Sequence, residues 1–351
     1  MARPMWGFTS DDPHYSPGFQ ATEKVRKYMR GATPVSPMTS PSMPPVAAGS
    51  SLLTGERLPL RLASLSPLRY PGSKRKMLPA IRQLIDGNIP HPELFVEPFC
   101  GGASVSLGLL ELNAIQRVLL ADVDPLVAAF WQAATRDADG LIKEIHSLDV
   151  TVEQWDYWRR ARPRSIRQLA VKRLFLNRTT FSGILGGHAG PIGGRSQSSD
   201  HTIDCRFNKD ALAERILNVK RLHDEGRIAG VLSSGWQQSM HRANGYAALN
   251  DNPAATVVYL DPPHINKADQ IYTLPFTGRD HRELAAHLKG SPHRWVLSYD
   301  AEPLILDLYR SRSERAPLSR HASLHDERDT EEACARSGDH LHQPTYRPHR
   351  R

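Results

Sequence analysis

Leu94 to Leu112 reads LFVEPFCGGASVSLGLLEL. It passes from a short buried-strand pattern through an acid, a proline and two glycines into a segment of helical character. Glycines between a strand and a helix let a ligand approach the main chain and meet the helix N-terminus. About 20 residues further on, the next apolar run, RVLLA at 117–121, leads into Asp122 within LLADVDP. Nucleotide-binding α/β folds set an acid against ribose hydroxyls at that place. Either feature alone is a weak signal, because a helix-capping loop and a turn aspartate would look the same. Together they point to a strand, loop, helix and strand arranged around a nucleoside.

The rest of the chain extends this unit. VVYL at 257–260 and RWVLS at 294–298 repeat the buried-strand pattern, each followed by a helix-like segment. Such alternation predicts an α/β fold, a parallel or mostly parallel sheet with helices on both faces. Ligands of these sheets lie at the carboxyl ends of the strands. The stretch 137–252 has a different texture: helical in EQWDYWRRA and SIRQLAVKRLFLN, then glycine-rich in FSGILGGHAGPIGG. Loop-rich insertions of this kind serve as lids or recognition elements. Residues 1–60, with runs such as PVSPMTSPSMPP, are expected to form a disordered Pro/Ser-rich arm, and 311–351 a disordered or divergent tail.

Composition narrows the classes. The 351 residues carry 45 Lys and Arg against 37 Asp and Glu, a net charge of +8, which is the footprint of a protein that meets a polyanion. Cys100, Cys205 and Cys334 lie far apart with no CxxC spacing. That fits a reducing compartment and argues against a disulfide framework and a zinc site. His321 and His325 share helical spacing in the tail, but a solvated tail accounts for them better than a metal, so none is expected. No apolar run is long enough to cross a bilayer and no signal-peptide pattern opens the chain; a cytoplasmic protein without a membrane partner is expected.

Glu97 narrows the ligand. A dinucleotide site has GxGxxG and a pyrophosphate on the helix dipole, whereas an acid at this position would repel pyrophosphate and suit a cation. S-adenosylmethionine carries a sulfonium and an ammonium, and its adenosine offers a ribose to Asp122. Upstream, LRYPGSK at 68–74 lacks the full GxxxxGK[ST] spacing and no strand leads into it, which excludes a P-loop NTPase. Two readings stay open there: a cofactor-binding turn with Lys74 near a carboxylate, or a basic surface loop.

VVYLDPPH at 257–264 places Asp261 on a corner stiffened by Pro262 and Pro263. An amino group on an aromatic base is a poor nucleophile because its lone pair is delocalised into the ring. If it donates to Asp261 and to the Pro262 carbonyl, the nitrogen can pyramidalise and aim its lone pair at a methyl donor. A ring in the next position, here His264, can stack on a base flipped out of the duplex.

LRYPGSK, FVEPFCGG, LADVDP, LFLNRTTFSGI and YLDPPH stand in the order found in Dam-type DNA adenine methyltransferases, whose signature is DPPY, and the chain resembles that family over roughly residues 67–309. The resemblance implies a Rossmann-like methyltransferase sheet with a helical, loop-rich DNA-recognition insertion. Its parts would be a cofactor half at 61–136, a target-recognition insertion at 137–252 and a catalytic half at 253–310. It implies S-adenosylmethionine as cofactor and double-stranded DNA as partner, acting on a monomer; the sequence names no restriction partner. Carried over by position, Tyr70 and Lys74 line the cofactor pocket with Glu97, Phe99 and Gly101, and Asp122 holds the ribose. Asp261 serves both cofactor and catalysis, with Pro262, Pro263 and His264 completing the catalytic corner. Asn177 and Arg178 match a family segment near the target base and DNA backbone, and Arg195 and Arg206 are candidate phosphate contacts, with a solvated surface the alternative.

Two departures stand out: His264 replaces the tyrosine of DPPY, and the C-terminus offers none of the strand material that completes the family's sheet. Methylation of the cytosine exocyclic amine or of RNA, or a catalytically impaired relative that binds DNA or cofactor, are the alternatives. Ring-carbon methylation of cytosine needs a cysteine nucleophile, and Cys100 lies in the cofactor loop instead. Imidazole stacks with less area than phenol and carries a proton-dependent charge. His264→Tyr is therefore expected to methylate faster and with a flatter pH profile than the native chain between about pH 6 and 8; equal or higher activity of the histidine form across that range contradicts the stacking role.

Overall fold

The computed structural model describes residues 65–69, 74–89, 92–183, 185, 189–250, 255–263, 265, 276–299 and 302–309. The expected arm at 1–60 and tail at 311–351 lie outside them. A 3-10 turn at Lys74–Met77 leads into α1 (Leu78–Asn88), then β1 (Leu94–Glu97), α2 (Ser104–Glu111), β2 (Arg117–Asp122) and α3 (Pro125–Arg136). Four helices follow, α4 (Ala138–Ser147), α5 (Val152–Arg160), α6 (Ile166–Thr179) and α7 (Lys209–Asp224), with a 3-10 turn at Phe181–Gly183 after α6. The chain then forms β3 (Ile228–Ser233), α8 (Trp236–Asn250), β4 (Thr256–Leu260), α9 (Gly278–Lys289), β5 (Arg294–Leu297) and α10 (Pro303–Tyr309).

The five strands form one sheet in the order β3-β2-β1-β4-β5, every pair parallel. β1 and β4 are buried along their whole length, as strands covered on both faces must be. Alternation along them divides the core. Phe95, Val118, Leu120, Val257 and Tyr259 face a cluster shared with α1 to α7. Leu94, Val96, Val258 and Leu260 face the opposite way, against Trp236, Met240 and Ala243 of α8 and Leu284 and Leu288 of α9. Strand order reverses between β1 and β4, because β2 and β3 build outward on one side and β4 and β5 on the other. In open α/β sheets the ligand crevice lies at the carboxyl ends beside that reversal.

The four strands expected from sequence are present, and β3 is an addition. Only Ile228 and Val231 of its six residues are buried, so this edge strand lacks the continuous apolar run of its neighbours. Its position changes the reading of 137–252. β3 pairs with β2 from Val118↔Ile228 to Asp122↔Ser233, and α8 packs on the β1–β4 face. Residues 209–250 thus belong to the sheet layers, and the stretch that departs from strand and helix alternation narrows to about 138–208. Even there, α6 shares the main core through Leu174 and Phe175.

Local signals explain the helix boundaries. Asp124 accepts from the Leu126 amide with Pro125 as the first residue of α3; Thr151, Ser165 and Asn208 cap α5, α6 and α7 in the same way. Thr277 and Asp280 form a reciprocal capping box on α9. β5 is the outer strand among the described residues, with Arg294 exposed and Trp295, Val296 and Leu297 partly covered. Tyr309 of α10 lies near Trp295 and Tyr299, with ring centroids 6.1 Å from each. No helix among the described residues is long and apolar enough to cross a membrane.

Candidate functional site at the carboxyl ends of β1, β2 and β4

Three adjacent parallel strands each deliver a carboxylate to the same edge of the sheet. Glu97 ends β1, Asp122 ends β2 and Asp261 follows β4. Glu97 is 4% exposed, and its Oε2 accepts a short hydrogen bond from Ser106 Oγ on α2. Burial pushes its pKa up to about 8; the Ser106 bond works against the rise, and the charges of Asp261 and Asp122 add to it. Asp122 accepts the Gly101 amide on Oδ2 and the Asp124 amide on Oδ1, each at 2.9 Å. Burial outweighs those main-chain donors and raises Asp122 to about 6.

The Asp122 bonds explain the shape of the loop. Gly101 (φ 43°) and Ala103 (φ 47°) both stand in the left-handed region, which glycine tolerates and alanine adopts only when its surroundings hold it there. The holding contacts are Asp122 on the Gly101 amide, the Trp131 indole donating to the Gly101 carbonyl at 2.8 Å, and the Cys100 amide on the Ala121 carbonyl at 2.9 Å. Phe99 packs edge-on against Phe276 with centroids 5.6 Å apart. The Cys100 thiol is buried and pushed well above its ordinary pKa, first by burial and then by Asp122 and Glu97, so it is no nucleophile.

Asp261 has a different environment. Lys74 Nζ lies 2.8 Å from Oδ1 and 3.0 Å from Oδ2, and Ser298 Oγ lies 2.8 Å from Oδ1. Of the two readings left open for Lys74, the geometry selects the turn that sets it against a carboxylate. Pro262 is buried and Pro263 partly buried beside it. Tyr70 and His264 lie outside the described residues. Among those residues, no group of three His, Cys, Asp or Glu side chains is placed to hold a metal ion.

Asn177 and Arg178 lie inside the protein. Asn177 is fully buried and binds main chain: its Oδ1 accepts from the Arg69 amide at 2.7 Å, and its Nδ2 donates to the Arg69 carbonyl and, at 3.2 Å, to the Gly183 carbonyl. Gly183 has φ +71°, and a Cβ there would sit 3.1 Å from Asn177. Arg178 is 7% exposed and donates through Nε, at 2.8 Å, and Nη2 to the Pro67 carbonyl. Neither side chain faces outward. Together they fasten residues 67–69 to α6. The "LNR" of the sequence signals an internal clamp because buried main-chain groups need partners.

Arg195 is exposed and held by Asp156 of α5 at 2.6 and 3.1 Å. Arg206 is half-buried within Coulomb range of Arg69 and Arg178. Arg69 was not singled out from sequence. Burial and then Arg206 lower it to about 10, and its Nη1 is buried with no hydrogen-bond partner among the described residues. Phe181, 65% exposed directly after α6, and Ser298 were also missed. Their signals were an aromatic in a glycine-flanked turn and a hydroxyl one residue past a strand.

The raised acids make stability depend on pH. Glu97 and Asp122 hold a proton more tightly folded than unfolded, so the stability they contribute is complete in acid and is lost as pH rises through about 6 and then about 8. Glu97→Gln keeps the neutral form at every pH. Its melting temperature should match the native chain near pH 5 and exceed it above about pH 8, by an amount on the order of a few kcal/mol of unfolding free energy. An equally steep alkaline decline in the variant would contradict the assignment.

Comparison with known proteins bears on this edge of the sheet. Residues 70–188 match the family model for D12 class N6 adenine-specific DNA methyltransferases. The Type II methyltransferase M.MjaIII of Methanocaldococcus jannaschii is 30% identical over 86 residues, 23% of this chain and 29% of that protein; the similarity thus spans less than a third of the relative's length. The family match covers Lys74, Glu97, Phe99, Gly101, Asp122, Asn177 and Arg178, and Asp261 lies beyond it. Over residues 70–188 the chain is similar to the D12 class of N6 adenine-specific DNA methyltransferases.

Proposed function

We propose that this protein transfers a methyl group from S-adenosylmethionine to the exocyclic amine of a flipped-out adenine in double-stranded DNA. The observation that carries the proposal is the corner after β4, where Lys74 and Ser298 fix the Asp261 carboxylate beside two further acids at the carboxyl edge of the sheet.

The site residues fit a cationic nucleoside cofactor. Three carboxylates converge, and Lys74 is already paired with Asp261. An excess of buried negative charge is relieved by a bound cation or by protons, and it disfavours a phosphate. Asp122 would hold the ribose, Gly101 and Phe99 would border the nucleoside, and Glu97 would supply negative charge for the sulfonium and ammonium. When bound, the cofactor supplies an electrophilic methyl group. The chain's own contribution is alignment. Asp261 and the Pro262 carbonyl accept hydrogen bonds from the amine, which localises its lone pair, and Lys74 keeps the carboxylate charged and in place.

DNA binding rests on a separate surface. Arg69, beside Arg178 and Arg206, adds to the positive charge beneath this surface, which favours DNA phosphates. Phe181 presents an exposed ring close to that region, on the turn whose Gly183 carbonyl is held by Asn177. Such a ring can stack on a base or fill the space that a flipped nucleotide leaves. The named relative is a Type II methyltransferase, and we assign this chain the corresponding task of modifying a specific DNA site.

Incubation with labelled S-adenosylmethionine and DNA, followed by digestion to nucleosides, tests the proposal. Labelled N6-methyl-2′-deoxyadenosine is the expected product; label in deoxycytidine, label found only when RNA replaces the DNA, or DNA binding without label, would replace the reading with one of its alternatives. Asp261→Ala should fold and bind DNA while losing at least about 10²-fold in rate. Transfer within threefold of the native rate would remove Asp261 from the mechanism.

A further inference from the structure

The corner at Asp261 carries a second layer in which Tyr259, the first residue of YLDPPH, meets Ser298, a residue outside the family match. The Ser298 amide donates to the Leu260 carbonyl at 3.0 Å, which continues the β4–β5 ladder one step past both strands. That step brings Ser298 level with Asp261. Its Oγ lies 2.8 Å from Asp261 Oδ1 and 3.0 Å from the Tyr259 hydroxyl. Tyr259 is 1% exposed and stacks on Phe95 with centroids 6.0 Å apart, so neither ring nor hydroxyl has room to turn away.

Donor counting fixes the direction of this chain. A carboxylate paired with Lys74 is ionised and can only accept. Ser298 must therefore donate its single proton to Asp261, and Tyr259 must donate its own to Ser298. Tyr259 is well suited, because burial holds its phenol far above its ordinary pKa and keeps the proton in place. The two carboxylate oxygens are then unequal. Oδ1 accepts from Ser298 and Lys74, whereas Oδ2 accepts from Lys74 alone among these groups.

Resting on the methyltransferase reading, we propose that Tyr259 and Ser298 form a positioning relay that fixes the plane of the Asp261 carboxylate and presents Oδ2 to the substrate amine. Ser298 and Tyr259 do not touch the reacting atoms; they act through Asp261. The relay also gives β5 a part in catalysis, since Ser298 stands at its carboxyl end.

The test compares full-length Ser298→Ala, Ser298→Thr, Tyr259→Phe and the Ser298→Ala/Tyr259→Phe double variant by methyl transfer to DNA, with cofactor affinity and melting temperature measured in parallel. Ser298→Ala should lower kcat by about 10- to 100-fold and change cofactor affinity by less than about threefold. Ser298→Thr, which keeps the hydroxyl, should stay within about threefold of native, and Tyr259→Phe should lose about three- to tenfold. Because Tyr259 works through Ser298, the double variant should be no slower than Ser298→Ala alone. An unimpaired Ser298→Ala, a Thr variant as slow as the Ala variant, or multiplying losses in the double variant would overturn the relay while an active native chain keeps the underlying reading. If Ser298→Ala fails to fold, the Thr and Phe variants still decide, since native-like kcat in Tyr259→Phe overturns the relay. A native chain that transfers no methyl group overturns both.

Discussion

Everything distinctive about this protein depends on one electrostatic constraint: three carboxylates gathered at the ends of three neighbouring strands, with Lys74 paired to Asp261. Parallel strands in register bring their termini to one edge, and here those termini are Glu97, Asp122 and Asp261. Like charges buried so close cannot all ionise without a partner. The sheet resolves the conflict unevenly. Asp261 lies beside Lys74 and Ser298, Asp122 is shared between two main-chain amides, and Glu97, bonded to Ser106, is pushed up to about 8. That gradient gives Asp261 and Glu97 different surroundings, and under the proposed function the first would serve an amine and the second a cation.

Lys74 comes from a segment outside the sheet and is held by Asp261. Earlier in the chain, α6 clamps residues 67–69. Asn177 reproduces a strand-like pair of hydrogen bonds with Arg69, and Arg178 closes on Pro67. One helix therefore ties residues 67–69 to the body of the protein, and the exposed Phe181 follows its C-terminus. A contact that reached DNA through Phe181 or Arg69 would lie within a few residues of the clamp.

How much of this was legible beforehand follows from what each residue needs. β1, β2, β4 and β5 announce themselves as short apolar runs, and the acids that end them are visible because ligands gather at strand ends. β3 escaped because an edge strand needs only two buried residues, Ile228 and Val231. The motif containing Asn177 and Arg178 was legible as a motif, yet its family association with DNA hid the plainer requirement that buried polar groups satisfy main chain. Lys74 could be expected near some carboxylate, but choosing Asp261 needed the fold, since 187 residues separate them. Ser298 and Tyr259 acquire meaning only once β4 and β5 are adjacent in a fixed register.

The central claim is that this edge of the sheet stores excess negative charge, partly neutralised by protons, for a cationic nucleoside. Calorimetric titration of the native chain with S-adenosylmethionine near pH 7, in two buffers of different ionisation enthalpy, measures the proton balance directly. With Glu97 at about 8 in the protein without cofactor, binding of the cation should release about one proton, and Glu97→Gln should bind without that release. Binding of S-adenosylmethionine by the native chain with no proton exchanged, or with a proton taken up, would contradict the account.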